Sequence, residues 1–324
     1  MTRIAVLDDW QRIAHASADW TKLQARAEVV FFEEPFADED DAANRLADFD
    51  ILLAMRERTP FPASLVRRLS RLKLFGLTGH RAGLIDMKAL AAQGVTICTT
   101  SGGQDGAGTA EIALGLMLAA ARQIPRADAA TRAGRFQGGV PLGFELAGKT
   151  LGLFGLGRLG QRMARYGNAL GMEVVAWSQN LTAEAARAAG AELLSKDAVL
   201  ARADVLSLHL VLSERTRGIV GAAELARMKQ GAMLVNTSRA PLVDEAALIA
   251  ALQAGRITAA LDVYDGEPLR PDHPFCTLPN TVLTPHLGYS TAEVYRIFFE
   301  QGIENALAFL DGAPIRVLDV GKAG

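Results

Sequence analysis

Three side chains in the last third of this 324-residue chain could do chemistry together: Arg239 in "VNTSRAPL", Glu267 in "DVYDGEP" and His286 in "VLTPHLGYST". An arginine grips a carboxylate through two parallel hydrogen bonds and polarises a neighbouring carbonyl. A histidine gives or takes a proton near neutral pH, and a glutamate beside it favours the imidazolium and orients the ring. Pro268 would hold Glu267 in extended geometry. Each of the three follows a short apolar run, "AMLVNT", "TAALDV" or "TVLT". All three therefore stand at or just past the carboxyl ends of strands, where ligands collect in open parallel sheets. Singly, each would serve as well as a surface arginine, a solvated glutamate or a satisfied core histidine.

What raises the set above chance is a glycine-rich turn upstream. "LFGLGRLGQRMA" places Gly155, Gly157 and Gly160 between an apolar strand and a helix, the context of a dinucleotide-binding loop. Gly155 permits the tight turn and Gly157 lets the backbone approach a pyrophosphate. Gly160 lets helix and strand pack closely, and Arg158 could add a charge contact. The helix N-terminus supplies N–H groups to the phosphates. The next strand, "EVVAW", runs into Ser178, Gln179 and Asn180 rather than the acid that binds the ribose 2′-hydroxyl of NAD, and Glu173 opens that strand at its far end. With neither a carboxylate nor an adjacent arginine there, the choice between NAD(H) and NADP(H) stays open. Carboxylate recognition and proton transfer beside a nicotinamide describe hydride transfer to or from a 2-oxo or 2-hydroxy acid.

The totals agree with an enzyme of this kind. Half the residues are apolar, 22% are charged and the formal net charge is -2, so a strongly basic nucleic-acid surface is not expected. The longest uncharged apolar stretch, 112–121, is far short of the ~20 residues of a membrane span. The N-terminus has no signal-peptide core. Cys98 and Cys276 lie far apart without metal-ligand spacing, which suits a reducing cytoplasm and predicts no metal.

Positioning these residues requires parallel sheets joined by crossover helices. One series of β-rich runs covers 3–7, 28–32, 50–54, 72–77 and 95–98, with a helix over 84–93 among the connections. A second covers 150–156, 173–178, 204–210, 232–237, 258–263 and 281–284. Between them, 109–122 is apolar nearly all round and predicts a buried helix, and a further helix should follow Pro125. A long helix over 290–310 and a short extended end complete the chain.

In these motifs the chain resembles the D-isomer-specific 2-hydroxyacid dehydrogenases, the family of phosphoglycerate dehydrogenase and glyoxylate/hydroxypyruvate reductase. The matching pieces are "TAE" at 109–111, "GLGRLG" at 155–160, "ADVLSLHL" at 203–210, "VNTSRAPLVDE" at 235–245, "LDVYDGEP" at 261–268 and "TPHLG" at 284–288. The resemblance implies an α/β fold of two doubly wound parallel-sheet domains: a flavodoxin-like substrate domain (1–101 and 287–324) and an inserted Rossmann dinucleotide-binding domain (102–286). It implies that Arg239 binds and polarises a small 2-oxo acid, that His286 is the acid/base and that Glu267 is its partner. Asp262 would hold the nicotinamide carboxamide, and Arg158 and Leu159 would cover the pyrophosphate. His209, Leu210, Val211 and Thr216 would line the cofactor cleft, with Thr109, Ser178, Thr237, Ser238 and Gly288 completing it. The loop "TGHRAGLID" would offer backbone N–H groups at Gly79, His80, Arg81 and Ala82 to the substrate carboxylate, with Arg56 reaching its carboxylate or phosphate. A homodimer through the segment after Thr109 is also implied.

The chain departs from the family pattern at Val211, where "HLV" replaces histidine-x-proline, and at Ala240, which Pro241 should confine to extended geometry. His80 and Arg81 bring bulk and charge to the substrate loop. Glyoxylate, hydroxypyruvate and 3-phosphoglycerate are the substrate types implied. A dinucleotide-sensing corepressor on the same scaffold is the alternative from another class. Formate dehydrogenase fits less well, because its glutamine–histidine pair is matched here by Glu267.

Overall fold

A computed structural model of the chain describes residues 1–79, 83–102 and 106–320. The chain divides into two compact units, Met1–Gln104 with Thr291–Gly324, and Asp105–Ser290. The expected inserted domain was 102–286, with His286 as its last residue; the compact units divide after 104 and 290.

The first unit holds strands β1 (Thr2–Val6), β2 (Ala27–Phe31), β3 (Ile51–Ala54), β4 (Leu74–Leu77) and β5 (Thr96–Thr99). All are parallel, in the order β2-β1-β3-β4-β5. This is the flavodoxin-like order, whose connections reverse between β1 and β3. Alternate residues face opposite sides of the sheet. Ala5, Leu52, Ala54, Phe75 and Ile97 are buried in one cluster with Phe61, Leu65 and Leu90 from the connections. The long helix Ala292–Leu310 buries Phe298, Phe299 and Ile303. It starts at Thr291, whose hydroxyl accepts the N–H of Val294. After it the chain returns in extended form, with Leu318 N–H bonded to Ile97 O at 2.8 Å.

The second unit carries β6 (Thr150–Phe154), β7 (Glu173–Trp177), β8 (Glu192–Leu193), β9 (Val205–Leu208), β10 (Met233–Asn236), β11 (Thr258–Leu261) and β12 (Thr281–Leu283). They form one parallel sheet in the order β12-β11-β10-β9-β6-β7-β8. The order reverses between β6 and β9, the doubly wound pattern. Leu151, Leu153, Val174, Ala176, Met233, Val235 and Ala260 enter one core. Phe154, Val175, Leu206, Leu208, Leu234, Ala259 and Leu261 enter the other. Burial on both faces is what lets these strands be apolar throughout. The two-residue β8 was not expected, being too short to show a period.

Two expectations are corrected. The helix Ala107–Ala121 is buried along one side only, through Ala110, Ala113, Leu116, Met117, Ala120 and Ala121, while Ile112, Leu114 and Leu118 are partly exposed and Glu111 and Gly115 face solvent. Ala240 opens a 3-10 turn, Ala240–Leu242, instead of continuing extended, because the Val243 N–H closes back onto its carbonyl at 3.0 Å. The helix Ile124–Arg132 does follow, with Pro125 in its first turn where the missing N–H is harmless.

Candidate active site

The strands that lead into the three candidate side chains are neighbours, β10 beside β11 beside β12. Asn236 pairs with Leu261 and Leu261 with Leu283, so the strands end level with one another. Arg239, Glu267 and His286 leave this common edge a few residues later. Sheet geometry alone thus brings the three chain segments to one side of the second unit.

Glu267 and His286 are joined: His286 Nδ1 lies 2.7 Å from Glu267 Oε2, with both side chains about one-fifth exposed (21% and 22%). The other carboxylate oxygen accepts the Tyr264 N–H at 3.0 Å, which fixes the acid's plane. The Glu267–Pro268 peptide bond is cis. With Nδ1–H given to the carboxylate, Nε2 is the nitrogen left to exchange a proton.

His286 sits at φ +55°, a left-handed conformation that costs a residue with a Cβ roughly 1–3 kcal/mol. Asp262 offsets this. Its Oδ1 accepts the Thr284 hydroxyl at 2.6 Å and the Leu287 N–H at 2.7 Å, and its Oδ2 accepts the Gly288 N–H at 2.9 Å. One buried carboxylate therefore ties down both sides of the histidine. Burial pushes the Asp262 carboxyl above its ordinary pKa, against the Thr284, Leu287 and Gly288 bonds and the nearby His286, which pull it down. The resemblance assigned Asp262 to the nicotinamide carboxamide; here its oxygens are engaged by the histidine loop.

Arg239 is half-buried and extended (φ -150°, ψ 138°), just ahead of the 3-10 turn. Its carbonyl accepts from Asn236 Nδ2 at 2.9 Å, and its Nη1 donates to Ser238 O at 2.7 Å. Asn236, only 2% exposed, also accepts the Ser238 N–H at 3.1 Å. The arginine's backbone and guanidinium are thus both set from β10. Neither Asn236 nor Tyr264 was singled out from sequence. The signal available was a polar residue closing an apolar strand.

The glycine loop forms the turn between β6 and the helix Arg158–Ala169. Gly155 has φ +93°, and a methyl group there would come 2.5 Å from His209 O. A methyl on Gly160 would come 2.1 Å from Gly155 O, so neither position tolerates a side chain. Gly157 differs: a methyl there would meet nothing within 4 Å, and no side chain caps the helix it precedes. That opening before uncapped N–H groups fits a pyrophosphate. Two buried polar atoms at neighbouring strand ends, Thr237 Oγ1 and His209 Nδ1, find no hydrogen-bond partner among the described residues, as expected where a ligand supplies one. Burial pushes the His209 imidazole down to about 4, so the ring is neutral at physiological pH. Its Nε2 lies 2.8 Å from Ser207 Oγ.

Other expected cofactor residues are placed as follows. Leu159 packs on Gly106, where a methyl would meet its Cδ2 at 2.7 Å. The Thr109 hydroxyl donates to Gly288 O at 2.8 Å, tying the helix Ala107–Ala121 to the histidine loop. Ser238 Oγ donates to Leu208 O at 2.7 Å. Leu210 is half-buried and Val211 is 67% exposed. Thr216 spends its hydroxyl on Val211 O at 2.7 Å and on the Ser213 N–H at 2.8 Å, which makes it a brace of its own loop. Arg158 opens the helix on an exposed face. Half-buried Ser178 follows β7 and turns the chain, its carbonyl accepting the Leu181 N–H at 3.2 Å.

Of the expected substrate residues, Arg56 and Gly79 meet within the first unit: a methyl on Gly79 would come 2.0 Å from Arg56 Nη1. Gly79 gives its N–H to Thr100 Oγ1 at 3.0 Å, so this N–H is not available to a carboxylate, contrary to expectation. His80, Arg81 and Ala82 lie outside the described residues. Among the described residues no group of three or more His, Cys, Asp or Glu is placed to hold a metal ion, and no helix is long and apolar enough to cross a membrane.

A doubly wound sheet with an uncapped glycine turn at its first strand and a paired acid and imidazole at its last is a dinucleotide-binding domain carrying proton-transfer groups. Residues 114–288 match the model of the "D-isomer specific 2-hydroxyacid dehydrogenase, NAD binding domain". The chain is 39% identical over 256 residues to a glyoxylate reductase of Aeropyrum pernix, covering 76% of each protein. It is 37% identical over 265 residues to a D-3-phosphoglycerate dehydrogenase of Archaeoglobus fulgidus, covering 82% of this chain and 50% of that one. The chain thus spans about half the length of the phosphoglycerate dehydrogenase. A phosphoglycerate oxidoreductase from Vibrio cholerae O395 superposes with a TM-score of 0.91 at 38% identity, over 97% of this chain and 100% of that one. The chain belongs to the D-isomer-specific 2-hydroxyacid dehydrogenase family.

Proposed function

We propose that the protein is an NAD(P)-dependent D-2-hydroxyacid dehydrogenase acting on a small 2-oxo or 2-hydroxy acid of the glyoxylate, hydroxypyruvate or 3-phosphoglycerate type. The observation that carries this reading is the 2.7 Å Glu267–His286 pair at the sheet edge that Arg239 shares. In this reading the second unit binds the cofactor and the first recognises the substrate.

The pyrophosphate would lie at Gly157 and the first turn of the helix Arg158–Ala169, and the nicotinamide half near Thr237 and Ser238. When bound, the reduced nicotinamide supplies the hydride. Arg239 grips the substrate carboxylate and draws electron density from the adjacent keto carbon. His286, protonated and steadied by Glu267, gives its Nε2 proton to the keto oxygen; in oxidation it takes that proton back. Arg56 in the first unit serves as a ligand for the substrate's carboxylate or phosphate.

The same reading includes a homodimer. Its support is apolar surface left uncovered after the helix Ala107–Ala121: Ile124 is 51% exposed, Phe136 73% and Leu142 98%. Both cysteines are free, which supports a reducing compartment such as the cytoplasm. A net charge of -2 supports a small-molecule partner rather than nucleic acid.

A panel of 2-oxo acids, assayed with NADH and NADPH separately, tests the proposal. Loss of reduced nicotinamide with glyoxylate, hydroxypyruvate or phosphohydroxypyruvate is the expected result. Tight cofactor binding without turnover of any acid would refute it. Because Ser178 stands where an acid would repel a 2′-phosphate, NADPH should not be rejected outright.

A further inference from the structure

At the carboxyl end of β1, beside β3 where the strand order reverses, lie the buried polar residues Asp8 and Asp9, with Thr59 bonded to the first of them. Asp8 is 1% exposed and left-handed, with φ +61°. Its Oδ1 accepts the Thr59 hydroxyl at 2.8 Å, and its backbone carbonyl accepts Arg58 Nη1 at 2.8 Å. Its Oδ2 is buried and meets no donor among the described residues. Arg58 also donates from Nη2 to Tyr295 OH at 3.1 Å, and its guanidinium lies 4.9 Å from the centroid of the Trp10 ring. The Tyr295 hydroxyl in turn donates to Gln11 Oε1 at 2.6 Å.

Arg58 closes a turn, its N–H bonded to Met55 O at 3.3 Å. Inside that turn is Arg56, left-handed at φ +55°, with its N–H held by Thr78 Oγ1 at 2.8 Å and its guanidinium against Gly79. The residues that Asp8 holds are therefore those that end the turn presenting Arg56.

We infer that Asp8 is a positioning residue for substrate recognition, anchoring through Thr59 and Arg58 the turn that carries Arg56 and so setting affinity for the anionic group of the substrate. The inference rests on the proposed reading of Arg56 as an anion ligand. Folding gives no reason to keep this carboxylate: an asparagine would offer Thr59 the same acceptor, tolerate the left-handed backbone and bury no charge. The charge adds a Coulombic attraction for Arg58, whose hydrogen bond goes to the Asp8 backbone carbonyl. Burial pushes the Asp8 carboxyl up to about 6, against the Thr59 bond and the Arg58 charge. The other charged and titratable groups around it are Tyr295, on Arg58 and Gln11; Asp9, spent on the Ile13 and Ala14 N–H groups; and Arg12, paired with Glu33.

Because the folded pKa lies above the unfolded one, the folded chain keeps its proton longer as pH rises. Asp8 therefore lowers stability progressively from about pH 4 to about pH 6. Asp8→Asn removes that loss, and the two roles pull in opposite directions. In hydroxypyruvate reduction by NADH at neutral pH, Asp8→Asn should raise KM roughly tenfold and leave kcat within about twofold, the pattern of a lost binding contact. The same variant should melt higher than wild type at neutral pH and equal to it near pH 4. Arg56→Ala, measured alongside, should raise KM at least as much. If Arg56→Ala raises KM and Asp8→Asn does not, the positioning role is overturned while Arg56 stands. If Arg56→Ala leaves KM unchanged, both fall.

Discussion

Replacing His286 by alanine should lower kcat for 2-oxo acid reduction by about 10²–10⁴-fold. That is about 3–5 kcal/mol of lost transition-state stabilisation. The size follows from what is removed in the proposed mechanism: the group that would give the keto oxygen its proton, an imidazole held by Glu267 at 2.7 Å. Cofactor affinity, measured by quenching of protein fluorescence on titration with NADH, should stay within about twofold. The glycine turn and helix start are built from residues 155–160, just after β6, at the other side of the order reversal from β12. The loop itself should persist, because Asp262 bonds Thr284, Leu287 and Gly288 rather than the imidazole. A parallel loss of NADH binding would make the histidine a structural residue and remove it from the chemistry.

Arg239→Lys should be nearly as damaging although the charge is kept, with kcat/KM falling about 10²-fold or more. A lysine ammonium offers no planar fork. It also cannot reproduce the arrangement in which Nη1 is held by Ser238 O at 2.7 Å, orienting the guanidinium plane. The backbone contacts that hold this position, Asn236 to the Arg239 carbonyl and to the Ser238 N–H, do not involve the side chain. The variant should therefore fold and bind NADH as wild type does. Steady-state constants equal to wild type would exclude Arg239 from carboxylate recognition.

The residues proposed to react could be picked out in sequence because chemistry restricts their types and a parallel sheet restricts their places. A lone arginine, glutamate and histidine after three consecutive apolar runs leave few other arrangements. Both strand series were legible too, since runs buried on both faces are apolar throughout. The residues that hold the site were not. Asn236, Tyr264 and Thr284 act through bonds to main-chain groups or to another positioner, and which groups come within reach is decided by the turns between strands. The family resemblance gives Asp262 a different role, and only the folded loop shows its two oxygens divided among three donors. Ala240 shows the limit of local rules: the proline after it favours extension, yet closing the 3-10 turn prevailed. The helix Ala107–Ala121 reads as buried because composition does not record what covers its other side.

The central claim is that hydride and proton reach the two ends of one carbonyl under the control of this chain's own groups. It is tested most directly by reducing hydroxypyruvate with NADH deuterated at the transferable C4 position and analysing the product. The account predicts deuterium at C2 of the glycerate and the D enantiomer alone. Glycerate without the label, the L enantiomer, or bound NADH that is never consumed would contradict it, and the last would point to a protein that senses the dinucleotide instead.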